Sequence, residues 1–216
     1  MIKLIIYDLD GTLIDSVITF MEAYSYSIEY GAGLNLEWSD IQKHLGPNEV
    51  GVLKNISPSD YKHCLDLFYK YEKEHINNIN LFSGIFKLLE RMDKKFIKQS
   101  VITGRATTHA EYFVNYFNIN NFFSDILVGG ITKDIKVSNI ELLVEKYGYK
   151  KSEIVHIGDT LNDVIAANKV KITSCICLWG KTDAQCNEIL ESNLCKNVFH
   201  TVSDFESWLL KGNINE

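Results

Sequence analysis

Residues 2–13 read IKLIIYDLDGTL, and this stretch determines the fold class that we expect. Its first six residues are mostly apolar and rich in isoleucine, which predicts a strand buried within a parallel sheet. Asp8 and Asp10 then end the apolar run, and Gly11 permits a sharp turn beyond the strand. Two carboxylates this close together repel each other unless a cation lies between them. The stretch therefore predicts a buried first strand that leads into a polar site.

After residue 83 the sequence alternates between short apolar runs and segments with helical periodicity. We predict one strand that ends at residues 101–102 and further strands at residues 126–128, 154–157 and 172–178, with a helix after each. Such alternation is typical of an α/β fold, a doubly wound parallel sheet with helices on both faces. Residues 17–80 show helical spacing and no convincing strand. We therefore expect an α/β core of residues 1–15 and 81–216, with residues 16–80 inserted as an α-helical cap, hereafter the cap segment.

The composition argues against several classes of protein. The 216 residues carry a net charge of -6 and no basic run, which argues against a nucleic-acid-binding surface. No apolar run reaches the length of about 18 residues that a membrane span needs. The five cysteines are odd in number and irregularly spaced, so we expect reduced thiols and no disulfide framework. We expect a cytoplasmic protein, either a monomer or a homodimer.

Polar residues follow four of the predicted strands, at the point where each strand ends. They are Asp8 and Asp10, Thr103 and Gly104, Lys136, and Asp159. In a doubly wound sheet, ligands bind beyond the carboxyl ends of the strands, so we expect these groups at one common edge. Three carboxylates without a histidine or cysteine pattern favour a hard cation. Mg²⁺ fits best, because it is held by few carboxylates and shares its coordination shell with water and phosphate.

Four motifs, in order, resemble those of the haloacid dehalogenase superfamily. They are Asp8-Leu9-Asp10-Gly11-Thr12-Leu13, Val101-Ile102-Thr103-Gly104, Lys136 with Leu142-Leu143 and Gly148 downstream, and Gly158-Asp159-Thr160-Leu161-Asn162-Asp163. The resemblance covers nearly the whole chain and points to the branch of phosphoglycolate phosphatases and β-phosphoglucomutases that carry a helical cap. It implies a three-layered α/β core with an inserted cap, and catalysis through a phospho-aspartate.

The resemblance also implies roles for the residues at the sheet edge. Asp8 would be the nucleophile, and Asp10 the general acid/base. Mg²⁺ would be held by the Asp8 carboxylate, the Asp10 backbone carbonyl and Asp159. The phosphoryl oxygens would be held by Thr103, the Gly104 amide and Lys136. The activity that these roles imply is a Mg²⁺-dependent phosphatase acting on a small phosphorylated metabolite.

Three of the residues leave alternatives open. Lys133 competes with Lys136 as the phosphate-binding lysine, but Lys136 begins a predicted helix, as the family's lysine does. Asp163 lies one helical turn after Asp159, so it is either a metal ligand through water or a neighbour that orients the ligands. An exposed first-turn acid favoured by the helix dipole is the third interpretation of Asp163. Arg105 follows the second motif and either touches substrate or has a structural use.

Other functions compete with the phosphatase hypothesis. A phosphomutase would use the same phospho-aspartate, but such enzymes usually carry a glutamate where this chain has Gly158. The dehalogenase branch generally lacks an acid at the position of Asp10. A binding or regulatory protein on a retired phosphatase fold is a third hypothesis, since a fold alone does not determine function. All the expected catalytic groups are present, which favours the phosphatase.

Overall fold

The computed structural model describes residues 1–211, and six strands in this range form one parallel sheet. The strands are β1 (Leu4–Tyr7), β2 (Lys98–Ile102), β3 (Asp125–Leu127), β4 (Ile154–Gly158), β5 (Thr173–Cys177) and β6 (Asn197–Phe199). Their order across the sheet is β3-β2-β1-β4-β5-β6, and every neighbouring pair is parallel. The first strand of the sequence therefore lies at the centre of the sheet.

Ten α-helices occur in the same part of the chain. They are α1 (Val17–Ala32), α2 (Trp38–Gln42), α3 (Glu49–Ile56), α4 (Tyr61–Glu74), α5 (Ile85–Lys94), α6 (Thr107–Tyr116), α7 (Lys136–Tyr147), α8 (Leu161–Val170), α9 (Asp183–Glu191) and α10 (Val202–Lys211). Helices α1 to α4 belong to the cap segment. None of the helices in residues 1–211 has the length and apolar character needed to span a bilayer.

Both faces of β1 are buried, which explains its nearly continuous apolar sequence. Successive side chains of a strand point to opposite faces of the sheet. Ile5 and Tyr7 accordingly join one apolar cluster with residues of α5, α6 and α10. Leu4 and Ile6 join a second cluster with residues of α7 and α8. Helices cover both faces, so the prediction of a doubly wound α/β core is confirmed.

The register of the central strands brings their carboxyl ends to one level. Tyr7, the last residue of β1, pairs with Val101 in β2 and with Ile157 in β4. The residues that follow each strand therefore emerge side by side at the same edge. The connection from β1 to β2 uses a helix on one face, and that from β4 to β5 uses a helix on the other. The switch point of the sheet thus lies between β1 and β4, where ligands bind in this architecture.

The structure adds one strand that the sequence does not predict. Strand β6 contains only three residues, two of them half-buried, so it lacks the apolar run that marks a central strand. Helix α10 follows β6 and spans Val202–Lys211. The missed strand lies at the edge of the sheet, where local hydrophobic pattern is weakest.

The helices of the cap segment have an apolar cluster of their own. It comprises Ala23, Tyr24, Ile28, Ile41, Val52, Leu53, Cys64 and Phe68. Helices α1 and α4 pack against each other, and the rings of Tyr24 and Phe68 lie 4.7 Å apart. The separate cluster supports the division of the chain at residues 15/16 and 80/81, which stays a prediction.

The two connections between the cap segment and the sheet run next to each other. The N–H of Asp15 donates to the carbonyl of Asn80 at 2.8 Å, and the N–H of Phe82 donates to the carbonyl of Leu13 at 3.1 Å. Ile14 forms an antiparallel bridge with Leu81, on the connection that returns from the cap segment to the core. The cap segment is therefore attached to the core through two adjacent extended segments.

Candidate active site

The loop after β1 is a tight turn that lies against the loop after β4. The N–H groups of Thr12, Leu13 and Ile14 all donate to the carbonyl of Leu9, which folds the loop back on itself. Gly11 has φ +71°, and a Cβ atom there would lie 2.3 Å from Oδ2 of Asp159. Glycine is required at this position, because any side chain would push Asp159 away from the loop.

Three carboxylates meet at the edge of the sheet. Asp8, Asp159 and Asp163 are all buried and each offers an oxygen within 4.8 Å of the others. Two ammonium groups border the cluster. Lys136 Nζ lies 3.5 Å from Oδ2 of Asp8 and also contacts Asp163, while Lys181 Nζ contacts Asp159. The positive charges reduce the mutual repulsion of the carboxylates, which would otherwise be strong in a buried site.

Burial determines the ionisation of two of these acids in the metal-free protein. Burial raises the pKa of Asp8 well above its usual range, and Lys136 only partly opposes this effect. Burial also raises the pKa of Asp159, although Lys181 lowers it in turn. In both cases burial disfavours the ionised carboxylate. A bound divalent cation would stabilise the ionised form and so lower both pKa values.

Asp163 differs from its neighbours because hydrogen bonds and ion pairs from the protein engage both of its carboxylate oxygens. It accepts hydrogen bonds from the backbone N–H of Thr160 at 3.1 Å and from the hydroxyl of the same residue. Nε2 of His156 lies 3.2 Å from it, while Nδ1 of that ring lies 3.0 Å from a carbonyl of β1. Burial alone would raise the pKa of Asp163, but Lys136 and His156 hold it far below its usual value. Asp163 is a buried member of the cluster and not an exposed first-turn acid.

The structure places Lys136 at the carboxylate cluster and Lys133 elsewhere. Lys136 is the first residue of α7, and its side chain, which is 12% exposed, reaches Asp8 and Asp163. Burial alone would lower the pKa of Lys136, but the two carboxylates raise it, so the ammonium stays charged. Lys133 is exposed.

Thr103 and Gly104 follow β2 at the same edge. Thr103 is buried, and its N–H donates to the carbonyl of Leu127 in β3 at 3.0 Å, which extends the sheet by one step. Gly104 has no heavy atom within 4 Å of the position a Cβ would take, while a Cβ on Gly129 would lie 2.2 Å from its carbonyl oxygen. The structure thus leaves space on the side-chain side of Gly104.

The side chain of Asp10 points away from the cluster. Its carboxylate accepts a hydrogen bond from Ser16, so Ser16 makes no side-chain cap at the start of α1. It also accepts from Arg105, with Nε 2.8 Å from Oδ2 and Nη2 2.7 Å from Oδ1. The predicted role of Asp10 in metal binding involves only its backbone carbonyl, which remains a prediction.

Two further charged residues at the site have no role in the sequence-based predictions. Glu72 lies in α4 of the cap segment, is fully buried, and accepts from Nη1 of Arg105 at 2.9 Å. Lys181 follows β5, and the strand-end rule that selects Asp159 would also have selected Lys181.

The cap segment lies directly over the loops of the core. The N–H of Asn48 donates to the carbonyl of Gly130 at 2.7 Å, and its side-chain amide donates to the carbonyl of Gly129 at 3.1 Å. Glu49 accepts from the N–H of Ala106 at 2.8 Å. These hydrogen bonds join α3 to the loops after β2 and β3, so the structure represents a closed arrangement of the cap segment.

A sequence profile described as haloacid dehalogenase-like hydrolase matches residues 5–177. This range includes β2 to β5, all of β1 except Leu4, and every residue of the carboxylate cluster. The chain belongs to the haloacid dehalogenase-like hydrolase family. The predicted family and the prediction of an enzyme of the phosphatase type are confirmed, and the roles of individual residues stay predictions.

Curated relatives and solved structures agree with the membership of this hydrolase. It is 28% identical to a phosphoglycolate phosphatase of Haemophilus influenzae over 181 residues, which are 77% of this chain and 81% of the relative. It is 22% identical to the pyrophosphatase PpaX of Oceanobacillus iheyensis over 186 residues, 84% of this chain and 86% of the relative. A hydrolase from Pseudomonas syringae shares its fold, with a TM-score of 0.77, 21% identity, and coverage of 97% and 98% of the two chains.

Proposed function

We propose that this hydrolase is a Mg²⁺-dependent phosphatase that cleaves a small phosphorylated metabolite through an aspartyl phosphate on Asp8. The observation that carries the proposal is the buried carboxylate of Asp8, 3.5 Å from the ammonium of Lys136 and clustered with Asp159 and Asp163. A carboxylate is a suitable covalent nucleophile for a phosphoryl group. The neighbouring ammonium supplies positive charge where the transferred group would gain negative charge.

The donor set of the cluster fits Mg²⁺. Its ligand atoms are carboxylate oxygens that are buried and close together, and such hard oxygen donors are the ligands Mg²⁺ prefers. The Asp8 and Asp159 carboxylates and the Asp10 backbone carbonyl would hold the ion. Asp163, already bound by Thr160, would orient the cluster from beside it. Bound Mg²⁺ would supply positive charge that polarises the phosphoryl group.

The two carboxylates of the β1 loop divide the chemistry between them. Asp8 attacks phosphorus in line, and the bond from phosphorus to the ester oxygen breaks as Asp10 gives that oxygen a proton. Asp10 then takes a proton from water while the water oxygen attacks the phosphorus of the aspartyl phosphate. The bond to Asp8 breaks, and inorganic phosphate leaves. General acid/base help of this kind contributes about 10²–10⁴ in rate.

Three groups would hold the phosphoryl oxygens during both steps. Lys136 approaches Asp8 from α7, and Thr103 and the amide of Gly104 lie at the end of the adjacent strand β2. The open space beside Gly104 supports close approach of an anion to the backbone. Donors fixed before the reaction stabilise the charge of the transition state without reorganising.

Hydrolysis is favoured over mutase chemistry by the surroundings of Gly158. A Cβ atom at this position would lie 2.1 Å from Cγ of Asp163, so the structure has no room for the glutamate that mutases usually carry there. The phosphoglycolate phosphatase and pyrophosphatase relatives point to small phosphorylated substrates. We therefore propose that the substrate is a small phosphorylated molecule.

The test is release of inorganic phosphate from a panel that includes phosphoglycolate, sugar phosphates, nucleoside monophosphates and pyrophosphate. The wild type, Asp8→Asn and the exposed-site control Asp93→Asn are assayed with Mg²⁺ and with EDTA. We expect wild type and control to release phosphate only with Mg²⁺, and Asp8→Asn to release none. Formation of an isomeric phosphate ester without release of inorganic phosphate would establish a mutase. Undiminished activity in Asp8→Asn would exclude the covalent mechanism.

A further inference from the structure

Arg105 has an unusual position for a charged residue, because 1% of it is exposed and it touches both parts of the molecule. In the core, Nε and Nη2 donate to the carboxylate of Asp10 over distances of 2.7–3.0 Å. In the cap segment, Nη1 donates to Oε2 of Glu72 at 2.9 Å. One planar guanidinium thus joins a carboxylate from the β1 loop to a carboxylate from α4.

The surroundings of the guanidinium make its hydrogen bonds to carboxylates strong. The rings of Phe113 and Phe20 lie 4.3 and 5.2 Å from Cζ of Arg105. A charge in such an apolar setting is tolerated only when good hydrogen bonds compensate the loss of water. The carboxylates of Asp10 and Glu72 raise the pKa of Arg105 against the lowering effect of burial, so it stays positively charged. Both partners are therefore needed for a stable arrangement.

Glu72 is itself fixed by the closed arrangement. It is fully buried, and Nδ1 of His109 lies 2.8 Å from the same oxygen that Arg105 contacts. His109 belongs to α6 of the core, and its ring stacks on Tyr69 of the cap segment at 3.8 Å. When α4 moves away from the core, Glu72 leaves with it, and one end of the Arg105 guanidinium loses its partner.

Building on the proposed function, we propose that Arg105 is a positioning residue that couples closure of the cap segment to the orientation of Asp10. Closure brings Glu72 to Nη1, which fixes the plane of the guanidinium. The Nε–Nη2 edge of that plane then fixes the carboxylate that protonates the leaving oxygen. A planar fork can transmit orientation in this way, whereas the ammonium of a lysine acts as a point charge.

The coupling predicts that damage to this contact depends on the leaving group. An alkyl phosphate needs a proton on its departing oxygen, whereas p-nitrophenyl phosphate loses a stable phenolate with little acid help. Asp10 also serves the second step, which is the same for both esters, so kcat/KM is the quantity that reports departure of the leaving oxygen alone. Arg105→Lys and Glu72→Ala should lower kcat/KM for an alkyl phosphate about tenfold or more, within the range that general acid catalysis supplies. Their kcat/KM for p-nitrophenyl phosphate should change much less, whereas a general loss of stability would lower both values alike.

The experiment measures kcat and KM for both esters with saturating Mg²⁺. The matched control is Glu74→Ala, an exposed position on the same helix. A larger loss of kcat/KM for the alkyl ester in both variants, with Glu74→Ala unchanged, supports the coupling. Equal losses of kcat/KM for the two esters, or no loss, overturn it. Thermal unfolding shows whether each variant is folded. If Glu72→Ala does not fold, the result for Arg105→Lys, which keeps the positive charge, tests the coupling by itself.

Asp8→Asn separates failure of this inference from failure of the proposed function. If Asp8→Asn is inactive and Arg105→Lys loses both esters equally, Arg105 has only a structural role and the phosphatase mechanism stands. If Asp8→Asn keeps full activity, the mechanism fails and the coupling fails with it.

Discussion

The ammonium of Lys136 lies 3.5 Å from the carboxylate of Asp8 and also contacts Asp163. Replacing Lys136 with alanine would remove a buried positive charge from a group of buried negative ones. Under the proposed mechanism, we expect Lys136→Ala to lower kcat about 10²–10³-fold, the usual cost of losing one preorganised donor to a developing oxyanion. Steady-state phosphate release measures this effect.

Lys133→Ala is the matched control for that substitution. Lys133 lies three residues earlier and is exposed, so we expect its variant to keep wild-type kinetics. If Lys133→Ala lost activity and Lys136→Ala did not, the assignment of the phosphate-binding lysine would be reversed.

Mg²⁺ should stabilise the folded protein through the carboxylate cluster. A ligand that binds only the folded state raises the free energy of unfolding by about 2.7 kcal/mol at 100 times its Kd. We expect this increment for the wild type and for the control Asp93→Asn, and we expect it to disappear in Asp159→Asn. Urea unfolding with and without Mg²⁺ measures it. An unchanged increment in Asp159→Asn would place the ion elsewhere.

Gly51 should be essential for closure of the cap segment. A Cβ atom at this position would lie 1.8 Å from the carbonyl oxygen of Ile131 in the core. The same Cβ atom would lie 2.6 Å from Cβ of Pro47, just before α3, so this residue would also have to shift, although alanine is the better helix former. We expect the variant to lower kcat/KM about 10²-fold, because displaced catalytic groups are costly. Kinetics and the radius of gyration from X-ray scattering measure the two effects.

Gly31→Ala provides the contrast to Gly51→Ala. Its Cβ atom would lie 2.8 Å from Sγ of Cys64, inside the cap segment. We expect this variant mainly to lower the unfolding midpoint. The same loss of midpoint in Gly51→Ala would argue that both glycines serve folding alone.

The cysteines should differ in their reactivity toward iodoacetamide. Burial raises the pKa of the thiols of Cys64, Cys175 and Cys177, which lowers their thiolate fraction at any pH below that pKa. The thiolate is the reactive species. At pH 8 we expect the partly exposed Cys186 and Cys195 to be alkylated first, and the other three only after unfolding. Mass spectrometry of the labelled peptides distinguishes these results, and early labelling of Cys177 would contradict the structure.

Hydrophobic pattern predicted the centre of the fold because the central strands are buried on both faces. The apolar run ending at Tyr7 predicts a buried strand, and Ile154–Gly158 is likewise buried along its whole length. Parallel strands align their carboxyl ends, so sequence order alone brought Asp8 and Asp159 to one edge. Strand β6 was missed because an edge strand of three residues carries no such pattern.

The core–cap contacts could not be predicted in the same way. Arg105 and Glu72 are 33 positions apart in the sequence and belong to different units. Their pairing depends on how the cap segment lies over the core, which no local periodicity encodes. The side-chain direction of Asp10 could not be predicted for the same reason, because its carboxylate is hydrogen-bonded by Arg105 and by Ser16, which lie outside the β1 loop.

The paired connections at Asp15–Asn80 have a consequence for how such an enzyme can diverge. The chain leaves and re-enters the sheet at points one hydrogen bond apart, so a short turn would bridge them without altering the strand order. The cap segment is therefore joined to the core only at these two adjacent connections, and the sheet is complete without it. Under the proposed function, substitutions in the cap segment would change substrate selection without altering the sheet that positions Asp8 and Asp159.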